Sequence, residues 1–143
     1  MNLDIFLKRN IVDVFIEIKS SFNVIEYSKV EETEFVVAKE YGFFLKSNRE
    51  FKGDIDTYRI YLKEYDGYSK FIDDKSYVSH NYVNKDNLFS VLGEPLKIIP
   101  SIDISKNRPA TLLGWCYVKN EKRIIYNFNE NDEIVYFTVS LFV

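Results

Sequence analysis

His80 is the residue through which this chain could activate a nucleophile, because it is the only histidine in the sequence. A Ser-His-Asp or Cys-His arrangement would have to combine it with Ser76, Ser79 or Cys116. The segment Ser76-Tyr77-Val78-Ser79-His80-Asn81 is polar and carries no nucleophile-elbow glycines. We therefore interpret His80 as a solvated loop residue and expect no catalytic residues.

Metal, phosphate and glycosidase sites are equally poorly supported. One histidine and one cysteine cannot build a tetrahedral zinc site without several carboxylates. The pairs Asp54/Asp56, Asp73/Asp74 and Asp132/Glu133 lie in turns, whereas glycoside hydrolysis needs two carboxylates facing each other across a cleft. The five glycines are scattered, so no phosphate-cradling loop is present. We predict that the protein is not an enzyme and uses no metal or cofactor.

One surface feature indicates a binding partner: acidic residues and tyrosines concentrate in two neighbouring stretches. A tyrosine ring can bury a large area while its hydroxyl keeps a partner, and adjacent carboxylates steer a basic partner toward the surface. The alternative is that these acids only keep the surface soluble and that Tyr58 belongs to the core. The partner-binding residues that we predict are Asp54, Asp56, Tyr61, Glu64, Tyr65, Asp66, Tyr68, Asp73 and Asp74.

Composition limits the class of protein. A chain of 143 residues fits one domain, since domains most often hold roughly 100–150 residues, and we expect a single domain over residues 1–143. The aromatic share of 17 % favours sheet over helix. A formal net charge of −3 argues against a nucleic-acid binder and permits a basic protein partner. The start of the chain lacks the features of a secretory signal and no apolar run is long enough for a membrane span, so we expect a cytoplasmic protein with no membrane partner.

The apolar pattern predicts the elements that must position this surface. Leu3, Leu7, Ile11, Phe15, Ile18 and Phe22 recur at helical spacing, so we predict a long N-terminal helix, capped by Asn2, deep against a sheet. Short β-type runs follow over 24–29, 34–39, 41–46 and 57–65, and Asp66-Gly67 predicts a hairpin turn before a returning strand at 68–72. A short helix, capped by Asn84 or Asp86, ends at Gly93, and 98–108 is predicted as a loop or irregular edge.

The last third of the chain reads as three antiparallel strands, 111–118, 122–128 and 133–143, separated by polar breaks. Together these elements predict an α+β fold: an N-terminal helix packed on a mainly antiparallel twisted sheet, with a second short helix before a C-terminal three-stranded meander.

Roughly the last 55 residues resemble small bacterial immunity proteins. The resemblance rests on the short helix, followed by Leu92-Gly93-Glu94-Pro95 and then by Gly114-Trp115-Cys116-Tyr117. The acidic residue that pyocin-type relatives commonly carry soon after the Gly-Trp pair is replaced here by Cys116-Tyr117-Val118.

The resemblance implies an antidote encoded beside a pyocin-like, colicin-like or contact-dependent growth-inhibition toxin. Such a protein would bind its cognate toxin domain, which we expect to be a basic nuclease, in a stoichiometric protein–protein interaction. It would perform no catalysis and make no contact with nucleic acid. Two rivals stay open. One is a small-ligand-binding or enzymatic α+β domain with a tyrosine-lined cavity between the sheet and the N-terminal helix. The other is a structural or adaptor subunit of a larger assembly.

Overall fold

The β-type runs build an antiparallel sheet of eight strands in the computed structural model, which describes residues 2–71, 82–102 and 111–142. The strands are β1 (Glu26–Val30), β2 (Thr33–Ala38), β3 (Phe43–Ser47), β4 (Thr57–Tyr61), β5 (Lys97–Ile99), β6 (Leu113–Lys119), β7 (Lys122–Phe128) and β8 (Ile134–Leu141). Their spatial order is β1-β2-β3-β4-β8-β7-β6-β5. Two runs of consecutive antiparallel strands therefore meet at the β4–β8 pair in the middle of the sheet.

Two α-helices lie in the described residues, and each begins at an asparagine. The Asn10 side chain accepts from the backbone N–H groups of Val12 and Asp13, both at 3.1 Å, and starts α1 (Ile11–Ile18). The Asn84 side chain accepts from Asn87 at 2.8 Å and starts α2 (Lys85–Leu92). These three bonds satisfy donors that the first helical turn leaves unpaired. Single 3₁₀ turns cover Leu3–Phe6, Lys39–Tyr41 and Arg49–Phe51. No helix among these is long and apolar enough to cross a membrane.

The strand register separates the side chains into two faces, because successive residues of a strand point to opposite sides. On the inner face a row of paired residues crosses six strands and packs under the helices through Ile11, Val14 and Leu88. This row is Val36, Leu45, Tyr58, Val139, Ile124 and Tyr117. The parallel row on the outer face is Val37, Phe44, Arg59, Thr138, Ile125 and Cys116. The main core thus lies on one side of the sheet, and a separate side-chain cluster lies on the other.

The predicted architecture is wrong. The eight-stranded antiparallel sheet dominates the fold, and the described α-helices are two segments of eight residues each. The last three strands lie close to their predicted positions, but they are three of the eight strands of one continuous sheet, in which the β4–β8 pair joins them to the first four strands. A short strand, β5, forms at 97–99 on the edge of the sheet, where we predicted the start of a loop or irregular edge.

The long N-terminal helix is the main error. Asn2 caps only the 3₁₀ turn at Leu3–Phe6, after which Lys8 takes a left-handed conformation with φ 72°. The backbone then bonds to the loop before β4, with Lys8 N–H donating to the Ile55 carbonyl at 2.7 Å. A helix restarts only at Asn10. It lies less deep than expected, since Ile16 on its outer side is 57 % exposed.

Candidate functional site

The turn at Asp66-Gly67 forms as predicted. Tyr65 and Tyr68 exchange backbone hydrogen bonds of 3.1 and 2.8 Å across it. The two central residues have φ values of 48° and 82°, the left-handed geometry that a two-residue hairpin turn requires and that aspartate and glycine tolerate best. The returning strand predicted at 68–72 does not form in its described part. Instead the chain folds back, and the Phe71 N–H donates to the Tyr61 carbonyl at 2.8 Å.

Four aromatic side chains hold this turn against the outer face of the sheet, and we call them the tyrosine cluster: Tyr61, Tyr65, Tyr68 and Tyr136. The Tyr61 and Tyr68 rings stack with centroids 4.2 Å apart, and Tyr136 lies 5.3 Å from Tyr61 and 5.8 Å from Tyr65. Tyr61 and Tyr136 are 2 % and 8 % exposed, whereas Tyr65 and Tyr68 are half-buried. The two hairpin tyrosines therefore stand on a buried aromatic base and keep part of each ring accessible.

Cations contact the faces of these rings. The Arg59 guanidinium lies 4.1 Å from the Tyr136 centroid and 5.1 Å from that of Phe44, and its Nε donates to Thr138 Oγ1 at 2.8 Å. The Lys39 ammonium lies 5.7 Å from the Tyr68 centroid. A cation over an aromatic face is attracted by the electron density of the ring. The positive charges thus lie beside the rings, while the carboxylates of Glu64 and Asp66 face solvent at the turn.

The hydroxyls of Tyr61 and Tyr68 hold their protons firmly. Burial is the largest of the causes that raise the pKa of Tyr68 to about 12; Tyr61 and Asp66 contribute to this increase and the Arg59 charge opposes it. Burial likewise raises the pKa of Tyr61 above its usual value, and the nearby Arg59 partly offsets this. These hydroxyls are therefore neutral at physiological pH and remain able to donate hydrogen bonds.

The predicted acidic residues do not form one patch. Asp54 is exposed before β4 and pairs with Asn10 in an isolated bridge, whereas Glu64 and Asp66 follow the same strand. Since a strand rises about 3.3 Å per residue, the five residues of β4 separate the two groups by roughly 15 Å or more. Asp73 and Asp74 lie outside the described residues, as do Ser76, Tyr77, Ser79 and His80.

Asp56 has a structural role rather than a surface role. Asp56 is buried, with only 2 % of the residue exposed. The carboxylate accepts from the Asn48 backbone N–H at 2.6 Å, from Asn48 Nδ2 at 2.7 Å and from Thr57 Oγ1 at 2.8 Å. These bonds join the loop after β3 to the start of β4. A buried carboxylate with three donors cannot contact a partner, so we remove Asp56 from the candidate interface, and buried Tyr61 can only support it.

Residues for other chemistry are not assembled in the part of the chain that the structure describes. There, no three His, Cys, Asp or Glu side chains come together in a group that could hold a metal ion. Cys116 is buried in β6, and this burial raises the pKa of its thiol. A buried, protonated thiol is a poor nucleophile.

Two features lie outside the predicted partner-binding residues, although the rival ligand-binding interpretation did expect a tyrosine-lined cavity. The first is a cavity of about 350 Å³ on the inner face, lined by the rings of Tyr58, Tyr82, Tyr117 and Tyr126. The alternating positions of Tyr58, Tyr117 and Tyr126 in three strands were a signal for it, although their pairing could not be read from the sequence. The second is the edge at α2 and β5, where Phe89, Leu96 and Ile98 are exposed.

The comparisons with known proteins concern the fold. No protein-family model matches the sequence, and no curated protein matches it. The crystal structure of a DUF4309 family protein, YjgB from Bacillus subtilis, is similar, with a TM-score of 0.57 and 8 % sequence identity over 95 % of this chain and 81 % of that chain. At this identity the likeness extends to the chain's fold alone.

Proposed function

We propose that this protein is an immunity protein that binds and neutralises a cognate bacterial toxin domain by stoichiometric contact. The observation that carries the proposal is the hairpin turn at Tyr65–Tyr68, which presents two half-buried tyrosines and two exposed carboxylates on a rigid aromatic base. The interface consists of Tyr65 and Tyr68 as anchors, with Glu64 and Asp66 at its rim.

Preorganisation is the physical reason for choosing this surface. Binding costs free energy for every side chain that must be immobilised, and this cost is about 0.5–1.5 kcal/mol for a flexible one. The stack of Tyr68 on Tyr61 and the packing of Tyr65 on Tyr136 order both anchors before a partner arrives. Their hydroxyls can donate to acceptors of the partner, which completes the apolar contact with a directional bond.

Charge selects the kind of partner. Glu64 and Asp66 are exposed, so they can pair with lysines or arginines of a toxin whose substrate surface is basic. A nuclease domain has such a surface because it must neutralise phosphates. In this proposal the antidote acts in the cytoplasm, where it meets the toxin before the toxin reaches nucleic acid. It needs no cofactor and performs no reaction.

The experiment is to co-express the chain with the toxin domain encoded by the neighbouring gene and to purify the two together. We expect rescue of cell growth and a stable one-to-one complex in size-exclusion chromatography. A double variant, Tyr65→Ser with Tyr68→Ser, should lose both while keeping the fold. Absence of rescue together with absence of a complex for the unaltered chain would refute the proposal.

A further inference from the structure

The cavity on the inner face lies between the N-terminal 3₁₀ turn and the end of α2, away from the hairpin. Its floor is the register row of Tyr58, Val139, Ile124 and Tyr117, which crosses four adjacent strands. The 3₁₀ turn with Asp4, the end of α2 at Leu92, and Tyr82 line it together with the β6–β7 turn. Its volume of about 350 Å³ falls in the range of about 300–1,000 Å³ that is usual for small-molecule sites.

Its walls suit a flat apolar ring. Tyr82 and Tyr117 each meet Tyr126 edge-to-face with centroids 5.9 Å apart, so ring faces and edges line the same hollow. Leu92 and Ile124 add aliphatic surface. Two wall hydroxyls have partners already. Tyr117 donates to the Gly93 carbonyl at 2.9 Å, and Tyr58 donates to Asp4. These bonds fix the orientation of both rings.

The mouth of the cavity carries excess positive charge. Lys119 and Lys122 both line it and face each other directly across the β6–β7 turn. Like charges directly opposite in a strand pair destabilise each other. Asp4 Oδ2 lies 3.4 Å from the Lys122 ammonium, but no ion pair includes Lys119 among the described residues. Two cations with one carboxylate leave room for one anionic group.

We propose that this cavity is a binding site for a small monocarboxylic acid that carries one aromatic or alicyclic ring. The ring lies among Tyr82, Tyr117 and Tyr126, and the carboxylate pairs with Lys119 and relieves its repulsion with Lys122. This activity is independent of toxin binding, because the hairpin contacts the opposite face of the sheet.

The test uses two probes that share a ring and differ in charge, 3-phenylpropanoate and 3-phenylpropan-1-ol, titrated into the labelled full chain and followed by amide NMR shifts. We expect shifts confined to cavity-lining amides and an affinity for the acid at least about tenfold higher than for the alcohol, as for one charge-assisted hydrogen bond. Lys119→Met should remove this preference. Lys97→Met, an exposed lysine on β5 that does not line the cavity, should keep it.

A second variant guards against misfolding as an explanation. Leu92→Trp enlarges a half-buried lining residue, so it should abolish binding of the acid while the amide spectrum elsewhere stays native. Equal affinity for acid and alcohol, shifts away from the cavity, or no shifts at millimolar acid would each overturn the inference. None of these results bears on toxin binding, which is measured separately.

Discussion

Gly42 sets the position of the hairpin, and Gly42→Ala is the change that tests this most sharply. The residue follows the 3₁₀ turn before β3 with φ 77°, and the segment after the hairpin passes directly over it. A Cβ atom there would lie 2.6 Å from the Phe71 nitrogen and 2.9 Å from the Lys70 carbonyl carbon, and closer still to the Ser69 carbonyl oxygen. All three atoms belong to the backbone, so the whole segment must move.

The magnitude follows from what that movement breaks. The left-handed conformation costs an alanine about 1 kcal/mol. Two backbone hydrogen bonds tie the segment down, Ser69 N–H to the Lys39 carbonyl and Phe71 N–H to the Tyr61 carbonyl, both 2.8 Å, and each contributes about 1 kcal/mol. We therefore expect Gly42→Ala to lower the free energy of unfolding by about 3 kcal/mol, which a domain with about 5–15 kcal/mol survives.

The matched control is Gly67→Ala. Gly67 has a similar φ of 82°, but an added Cβ would meet only the end of the Lys39 side chain, at 3.7 Å or more. This variant should lose only about 1 kcal/mol. Urea unfolding gives both values, and hydrogen exchange should show that the Ser69 and Phe71 amides lose protection only in Gly42→Ala. Equal destabilisation of the two variants would refute the steric explanation.

Three further predictions concern the side chains around the candidate site. Asp56→Asn should lower the free energy of unfolding by about 2 kcal/mol in urea titrations, because it weakens charged hydrogen bonds, while Asp54→Asn should stay within about 0.5 kcal/mol. NMR of ring-labelled tyrosine should place the pKa of Tyr68 at about 12, and Asp66→Asn should lower it because a negative neighbour is removed. Since this folded-state pKa is raised, the stability it contributes is complete below the ordinary value of 10.0 and is lost as the pH rises through about 12. Arg59→Met should cost about 1–2 kcal/mol in thermal unfolding and Arg59→Lys less, because lysine keeps a cation over the rings.

Local signals predicted the turn of the hairpin, though not the loss of its returning strand, and most of the strands of the sheet. Asp66-Gly67 defines the turn through the conformations of these two residues alone, and the strands at 113–119, 122–128 and 134–141 alternate over long runs between polar breaks. The N-terminal helix failed because helical spacing does not report a left-handed residue. Lys8 turns the chain to pair with the loop before β4, and Asn10 was a capping residue within the predicted helix.

The interface could be predicted only in part, because burial depends on distant segments. Asp54 and Asp56 look equivalent in the sequence, yet Asn48 and Thr57 enclose only the second. Tyr61 is a suitable anchor by type, but its stack with Tyr68 and its contact with Tyr136 bury it. Tyr58 joins the other cavity tyrosines only through the pairing of β4 with β8, which joins residues about 80 positions apart.

The most direct measurement of the central claim is calorimetric titration of the toxin domain with the unaltered chain, Asp66→Asn and Asp54→Asn. The two substitutions make the same chemical change at exposed positions, one at the hairpin and one beyond the other end of β4. We predict one-to-one binding that Asp66→Asn weakens by about tenfold, the loss of one charge-assisted bond, and that Asp54→Asn leaves unchanged. Binding that weakens equally in both variants, or only in Asp54→Asn, would contradict an interface at the tyrosine hairpin.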